Sequence, residues 1–501
     1  MDRSAAGIRQ HDTHKTLTDQ AESGNAQRSP LPLDAIIVPA ARPAESLEHA
    51  VVLARAAKCQ LLVLCSQRLD GTEAMEYLAA RSFHRAIVIG LPPGYSHALL
   101  KFPELDSIKA ELPPECTYFT TDLSMKRNLG LVLAKMLGWQ RVFFLDDDIR
   151  DITYPDLQAT VDMLGSFPAT GMWVTDYPDN SIVCHANRET GKPQDVFVSG
   201  AALAVDCSQD ISFFPDIYNE DWLFFFDNVA SKQLANSGLT ATQLKYYPFA
   251  NPKRAAWQEF GDVLAEGLYS LLHLSGSAKD ATPEYWTRFL EARWSFLEGI
   301  LNRSRDAGQQ VNAEMTAAVN AALECSREIS PELCARYVRS WRNDLADWKK
   351  RMATITAMPS IEKALAELGL AATALASTWK VMPHWAEAAI SPVTPGPVGI
   401  PRSDTLEQMS ADTVRTTMPM PVLPDDATAT PHETAATLYE VRGRAGWLRS
   451  ALRYIERVDL PLLRVTAEHS PPPTVPTTAA PSDPAGPASR DSRPVEEFVR
   501  Q

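Results

Sequence analysis

Between about residue 33 and residue 278, short and wholly apolar runs alternate with amphipathic stretches. Residues 34–38 (DAIIV), 61–65 (LLVLC), 86–90 (AIVIG) and 141–145 (RVFFL) read as strands. A strand buried on both faces shows no polar alternation, so these runs predict a mostly parallel sheet covered on both sides. Residues 44–57 have helical spacing through Leu47, Val51 and Ala54. Met125, Leu129, Val132, Leu133 and Met136 form a second helical stripe, which Gly138 can end. Further strands are expected at 170–175, 195–199 and 243–247.

After about residue 282 the texture changes to long helices. Thr282-Pro283-Glu284 combines an N-cap with Pro at the first helical position, and Trp286, Phe289, Leu290, Trp294, Leu297 and Leu301 follow as one face. Ser330-Pro331-Glu332 repeats the signal ahead of Tyr337, Trp341, Leu345 and Trp348. Beyond residue 376 Pro, Thr and Ala dominate, a composition that buries too little surface to fold. One island breaks it, with Leu448, Leu452 and Ile455 on one helical face and Arg449, Arg453 and Arg457 on another. Such a basic amphipathic helix rests on anionic lipid, on a protein partner or on its own body. The expected organisation is a disordered leader over 1–30, an α/β domain over 31–278, a helical domain over 279–376, and a tail over 377–501 with the basic helix at about 434–458.

Charge narrows the function. With 48 basic and 62 acidic residues the net charge is −14, which excludes a general nucleic-acid binder needing a basic phosphate-facing surface. The seven cysteines include no Cys-x-x-Cys pair and read as reduced, buried thiols; with no signal-like apolar segment, cytoplasmic residence is expected.

Asp146, Asp147 and Asp148 follow the 141–145 strand directly, where the chain leaves the carboxyl edge of the sheet. Ligands of open α/β sheets bind at that edge. In an extended segment Asp146 and Asp148 point to one side and repel unless a cation lies between them, and hard oxygen ligands suit Mg²⁺ or Mn²⁺. Asp147 points away, to cap or orient. The alternative is that the acids cap the next segment and face water.

Arg127-Asn128-Leu129-Gly130 on the preceding helix, the strand, and Leu145-Asp146-Asp147-Asp148 together resemble the GT-A glycosyltransferases, in particular the large family-2-like group of nucleotide-diphospho-sugar transferases. The likeness covers roughly residues 33–275 and implies a GT-A-like, Rossmann-like fold with a DXD motif. It implies that Pro39, Ala40 and Arg42 belong to the loop holding base and ribose, and that Arg127, Asn128, Asp146, Asp147 and Gly200 line the nucleotide-sugar site. Ser66 falls where the family often carries an acid, a departure that bears on base recognition. Asn219-Glu220-Asp221-Trp222 resembles the family's Glu-Asp motif, in which the second acid deprotonates the acceptor; Glu220 is the reserve base. His273 is either a late metal ligand, as in some relatives, or a core histidine. Gln258-Glu259-Phe260-Gly261-Asp262 is a candidate wall on the acceptor side.

The expected activity is metal-dependent transfer of a sugar from a nucleoside-diphosphate sugar to an unidentified acceptor hydroxyl. In this expectation the metal ligands are Asp146, Asp148 and His273. A non-catalytic GT-A-like scaffold is the first alternative. A sugar-phosphate nucleotidyltransferase is the second, disfavoured because 39–43 (PAARP) contains no glycine.

Overall fold

A computed structural model of the chain describes residues 14–20, 29–114, 122–175, 180–193, 197–306, 313–370 and 374–375. The Pro-rich tail and the basic helix expected within it lie outside the described residues.

One sheet contains β1 (Asp19–Gln20), β2 (Ala35–Ala40), β3 (Gln60–Cys65), β4 (Ala86–Gly90), β5 (Arg141–Leu145), β6 (Ile149–Arg150), β7 (Ala169–Thr175), β8 (Val198–Asp206), β9 (Leu234–Gln243) and β10 (Ala374–Leu375). Their order is β1-β9-β7-β8-β5-β2-β3-β4-β10, with the short β6 pairing beside β9. β2 lies parallel to both β3 and β5, and β3 parallel to β4, while β8 runs antiparallel between β5 and β7. The chain therefore leaves β2 in one direction toward β3 and β4, and returns to the other side of β2 as β5. That reversal makes a switch point at the carboxyl ends of β2 and β5.

Helices α1 (Glu48–Ala57), α2 (Gly71–Ala80), α3 (Pro103–Lys109), α4 (Leu123–Met136), α5 (Tyr154–Asp162) and α6 (Ile182–Glu189) connect the early strands. The short α7 (Glu220–Phe224) and α8 (Phe226–Ala230) precede β9, and α9 (Lys253–His273), α10 (Pro283–Asp306), α11 (Ala313–Glu328), α12 (Pro331–Thr354) and α13 (Ile361–Glu367) follow it. Strand alternation divides the core. Ile36, Val38, Phe143 and Leu145 face α1, α2 and α5, whereas Ile37 and Phe144 face α4, α9, α10 and α12.

The start signals read from sequence operate as expected at α12, where Ser330 Oγ accepts from the Leu333 N–H at 3.2 Å. The helices after residue 282 do not stand apart, however. Trp286, Trp341 and Trp348 are fully buried in the core that contains Ile37 and Phe144. Trp348 donates to the Ile211 carbonyl at 3.1 Å, and the Asp344 carboxylate accepts the Leu105 N–H at 2.9 Å. The boundary expected near residue 278 marks a change of secondary structure inside one compact unit.

Three other expectations shift. β9 ends at Gln243, where a strand was expected to begin, because its residues (LANSGLTATQ) are too polar to form an apolar run. β8 extends to Asp206, well past residue 199. Residues 14–20 of the expected leader are part of the fold, with β1 parallel to β9 and His14 buried. Cys59, Cys65, Cys184, Cys207 and Cys334 are buried free thiols, but Cys325 is disulfide-bonded, contrary to the expectation for all seven. No helix among the described residues is long and apolar enough to cross a membrane.

Candidate active site

The three aspartates do not alternate as an extended strand would. The Ile149 N–H donates to the Asp146 carbonyl at 3.1 Å, so the chain turns within the triplet and its side chains diverge. Asp146 receives Arg127 Nη2 on both oxygens at 2.9 Å. Asp147 does not point away from the site. Its Oδ2 accepts the N–H groups of Ala41 and Arg42 at 2.7 and 2.9 Å, pinning the loop after β2 to the end of β5. The Arg42 guanidinium bridges Asp147 and Asp148, reaching Asp148 Oδ2 at 2.8 Å. Gln243 Nε2, from the end of β9, donates to the same Asp148 oxygen at 3.3 Å.

Arg127 links this edge to the second acidic motif. Its side chain is buried on α4, with Nη1 on Glu220 and Nη2 on Asp146. Burial opposes the charge, but Asp146, Glu220 and Asp221 together hold the guanidinium above its ordinary value. Burial also pushes the Glu220 carboxyl up to about 8, against the pull of Arg127. Asp221 is raised for the same reason, while its Oδ2 accepts the Gly200 N–H at 2.7 Å and its Oδ1 the Trp222 N–H at 2.9 Å.

Two glycines make this convergence possible. A Cβ at Gly200 would lie 2.8 Å from Asp221 Cβ and 2.9 Å from Arg127 Nη1, so any side chain would push Asp221 and Arg127 apart. A Cβ on Gly261 of α9 would lie 2.2 Å from the Tyr218 carbonyl oxygen. That close approach seats the turn at Asn219, whose φ of 60° starts α7 and so aims Glu220 and Asp221.

Several expected residues serve other purposes. Asn128 uses both ends of its amide on the Phe214 backbone, at 2.8 Å each, and holds that segment instead of facing a ligand. His273 sits with His14, ring nitrogens 3.1 Å apart, and among the described residues it joins no group of acids that could hold a metal ion. Glu259 and Asp262 form no open wall, being buried against Arg293. Pro39 and Ala40 end β2 at the switch point, and Ser66 follows β3 with a buried hydroxyl that has no hydrogen-bond partner among the described residues.

Two further residues stand at this edge, Lys126, one of the basic residues on the helix before the 141–145 strand that the sequence allowed to approach it, and Gln243, which the sequence reading missed. Lys126, buried on α4, donates to the Ala40 carbonyl at 2.7 Å and pairs with Asp122 at 3.2 Å; burial lowers its pKa. Its place directly before Arg127 was the available signal. Gln243 carried none, because its partner Asp148 is 95 residues away in sequence.

Among the described residues no group of three or more His, Cys, Asp or Glu side chains could hold a metal ion. The part of the edge with hard-cation chemistry is Asp148 with Gln243, whose buried Oε1 has no partner among the described residues. A cation would fit there only after the half-exposed Arg42 guanidinium left Asp148. Asp146 is committed to a buried arginine that has no such freedom.

No protein-family model matches the sequence, and no curated protein matches it significantly.

Proposed function

We propose that the chain is a GT-A-type glycosyltransferase moving a sugar from a nucleoside-diphosphate sugar to an acceptor hydroxyl. One observation carries the reading. Arg42, Arg127, Asp146 to Asp148 and the Glu220–Asp221 pair, from four separate stretches of chain, converge on the carboxyl edge at the β2–β5 switch point. Doubly wound sheets bind nucleotides there, and the order β4-β3-β2-β5 repeats the 3-2-1-4 arrangement of such sheets.

In this reading Pro39, Ala40 and the unpartnered Ser66 hydroxyl face base and ribose. Arg42 and Arg127 stabilise the charge that grows on the departing nucleoside diphosphate, Arg127 from a buried and already oriented position. Mg²⁺ or Mn²⁺, held by Asp148 and Gln243 Oε1, would add charge stabilisation at the same place. Asp221 accepts the acceptor proton. Its raised pKa makes it a stronger base than an ordinary carboxylate, and the Gly200 and Trp222 N–H groups hold it in one orientation.

A thermal-shift panel of UDP, GDP, ADP and CDP and their sugars, with and without Mn²⁺, tests the binding half, since a ligand of the native state raises the melting temperature. The expected result is a shift for one base only. No shift with any member would end the glycosyltransferase reading. For the chemistry, Asp221→Asn should leave that shift intact while turnover falls about 10²–10⁴-fold. A non-catalytic scaffold is the second reading, favoured by the closure of these acids onto arginines and backbone amides; nucleotide binding without sugar release selects it.

A further inference from the structure

Beside Asp221 lies a pocket that the chain fills with one of its own residues. Phe197 ahead of β8, Trp222 on α7 and Tyr269 on α9 form its walls, with ring centroids 5.2, 5.5 and 4.8 Å apart in the three pairings. The Tyr269 hydroxyl donates to the Trp222 carbonyl at 3.0 Å, so the walls hold one another in place. They also border the proposed base. Trp222 gives its N–H to Asp221, and burial, helped by the Asp221 carboxylate, pushes the Tyr269 hydroxyl well above its ordinary range. The occupant is His14. Its ring stands 5.9 Å from Phe197, 5.0 Å from Trp222 and 5.1 Å from Tyr269, and it stacks on His273 at 5.3 Å. At its rim, Nε2 lies 3.2 Å from Glu266 Oε2 and Nδ1 lies 3.1 Å from His273 Nε2.

The described stretch that carries His14 is lightly attached. After His14 come the exposed Thr16 and the half-buried Leu17, whose N–H donates to the His14 carbonyl at 2.9 Å. It then meets the sheet over two residues only, Asp19 beside Ala235 and Gln20 beside Asn236. A two-residue edge strand and one inserted side chain belong to the least stable parts of a fold. Phe197 and Tyr269, by contrast, are part of the main core. We propose that residues 14–20 are a displaceable plug, and that the pocket beneath His14 is the acceptor subsite, which takes a neutral sugar ring. Such a ring repeats the pattern of the imidazole, with C–H groups for the aromatic walls and hydroxyls at its rim for Glu266 and His273. Trp222 and His273 are only half-buried, so the pocket opens to solvent once the segment leaves. An acceptor seated there rests on Trp222, the residue next to the base. The choice of ligand rests on the proposed glycosyltransferase reading, but the tests use neither a nucleotide nor turnover.

Amide hydrogen exchange of the full-length wild-type protein is the first test. A plug that is out in about one molecule in ten, the upper end for a minor state, protects the amides of Leu17 to Gln20 only about tenfold. The amides of β9 that pair with β7 should be protected by orders of magnitude more, and equal protection of the two segments overturns the plug. The probes for the pocket are methyl glucoside, methyl galactoside, methyl mannoside and methyl N-acetylglucosaminide. At saturation at least one of them should speed exchange at Leu17 to Gln20 up to about tenfold, by displacing His14, and leave β9 unchanged. In full-length His14→Gly the same glycoside should raise the melting temperature more than it does in wild type, as should imidazole, which refills the space left by the side chain. If imidazole stabilises His14→Gly but none of the four glycosides does, or if none alters exchange in wild type, the acceptor subsite is overturned. If a glycoside binds and displaces the segment while no nucleoside diphosphate or nucleotide sugar binds, the plugged sugar pocket stands and the glycosyltransferase reading fails.

Discussion

Arg127 and Arg293 are both buried guanidiniums that touch two acids, Asp146 and Glu220 for the first, Glu259 and Asp262 for the second. Around Arg293 the polar groups close on one another. Glu259 accepts two bonds at 2.7 and 2.6 Å, and Asp262 accepts from both Arg293 and Asn219. Around Arg127 the ring is open, for its buried Nε has no partner among the described residues and Asp146 keeps 17% of its side-chain surface exposed. A closed cluster between α9 and α10 holds helices in register. An open one at a sheet edge leaves charge where a ligand can complete it.

The largest effect should come from Arg293→Met. It leaves Glu259 and Asp262 as buried, uncompensated acids, and breaking such a cluster costs about 3–5 kcal/mol, measurable by urea unfolding. Arg127→Met should cost less, because Asp146 reaches water and burial already favours the protonated form of Glu220. It should nevertheless abolish sugar release. Equal destabilisation by the two variants would erase the distinction drawn between the clusters.

Gly200→Ala comes next. Its Cβ would intrude on Asp221 and Arg127, and overpacking of this kind costs about 1–3 kcal/mol. Sugar release by the folded fraction should fall as well; full activity in that fraction would show that the Gly200–Asp221 contact is only structural.

The acid of the open cluster gives a pH signature. Glu220 has a folded-state value of about 8 against 4.5 for the ordinary group, so the folded protein holds its proton more tightly than the unfolded chain. Its stabilising contribution is complete below pH 4.5 and is lost as pH rises toward 8. Glu220→Gln should flatten the stability profile across that window, and an unchanged slope would mean that Glu220 is ionised in the native state. The smallest effect is expected on the surface. Arg336→Ala removes a half-exposed pair with Glu111 and should change stability by no more than about 1 kcal/mol, a larger loss pointing to packing by its methylenes.

Much of the edge was legible because its residues are close in sequence or follow a strong pattern. The apolar run 141–145 located β5, and three consecutive acids after it marked a place where repulsion demands a partner. The partner's identity was not legible. Strand alternation placed Asp146 beside Asp148, but the turn closed by the Asp146 carbonyl and the Ile149 N–H sends one to Arg127 and the other to Arg42. Asn128 illustrates the converse, a residue within a functional-looking motif whose amide is consumed by the Phe214 backbone 86 residues away.

Periodicity and composition were sufficient for the parallel half of the sheet and the capped starts of α10 and α12, since each depends on local spacing and local backbone preference. Packing was needed for the rest. It merged the helices after residue 282 into the core of the sheet, drew β1 onto β9, and gave Arg127 two acids from distant segments. The physical reason is range. Helix caps and strand alternation act within a few residues, whereas apolar burial and ion pairing are indifferent to sequence separation, so which buried groups meet is settled by the folded chain as a whole.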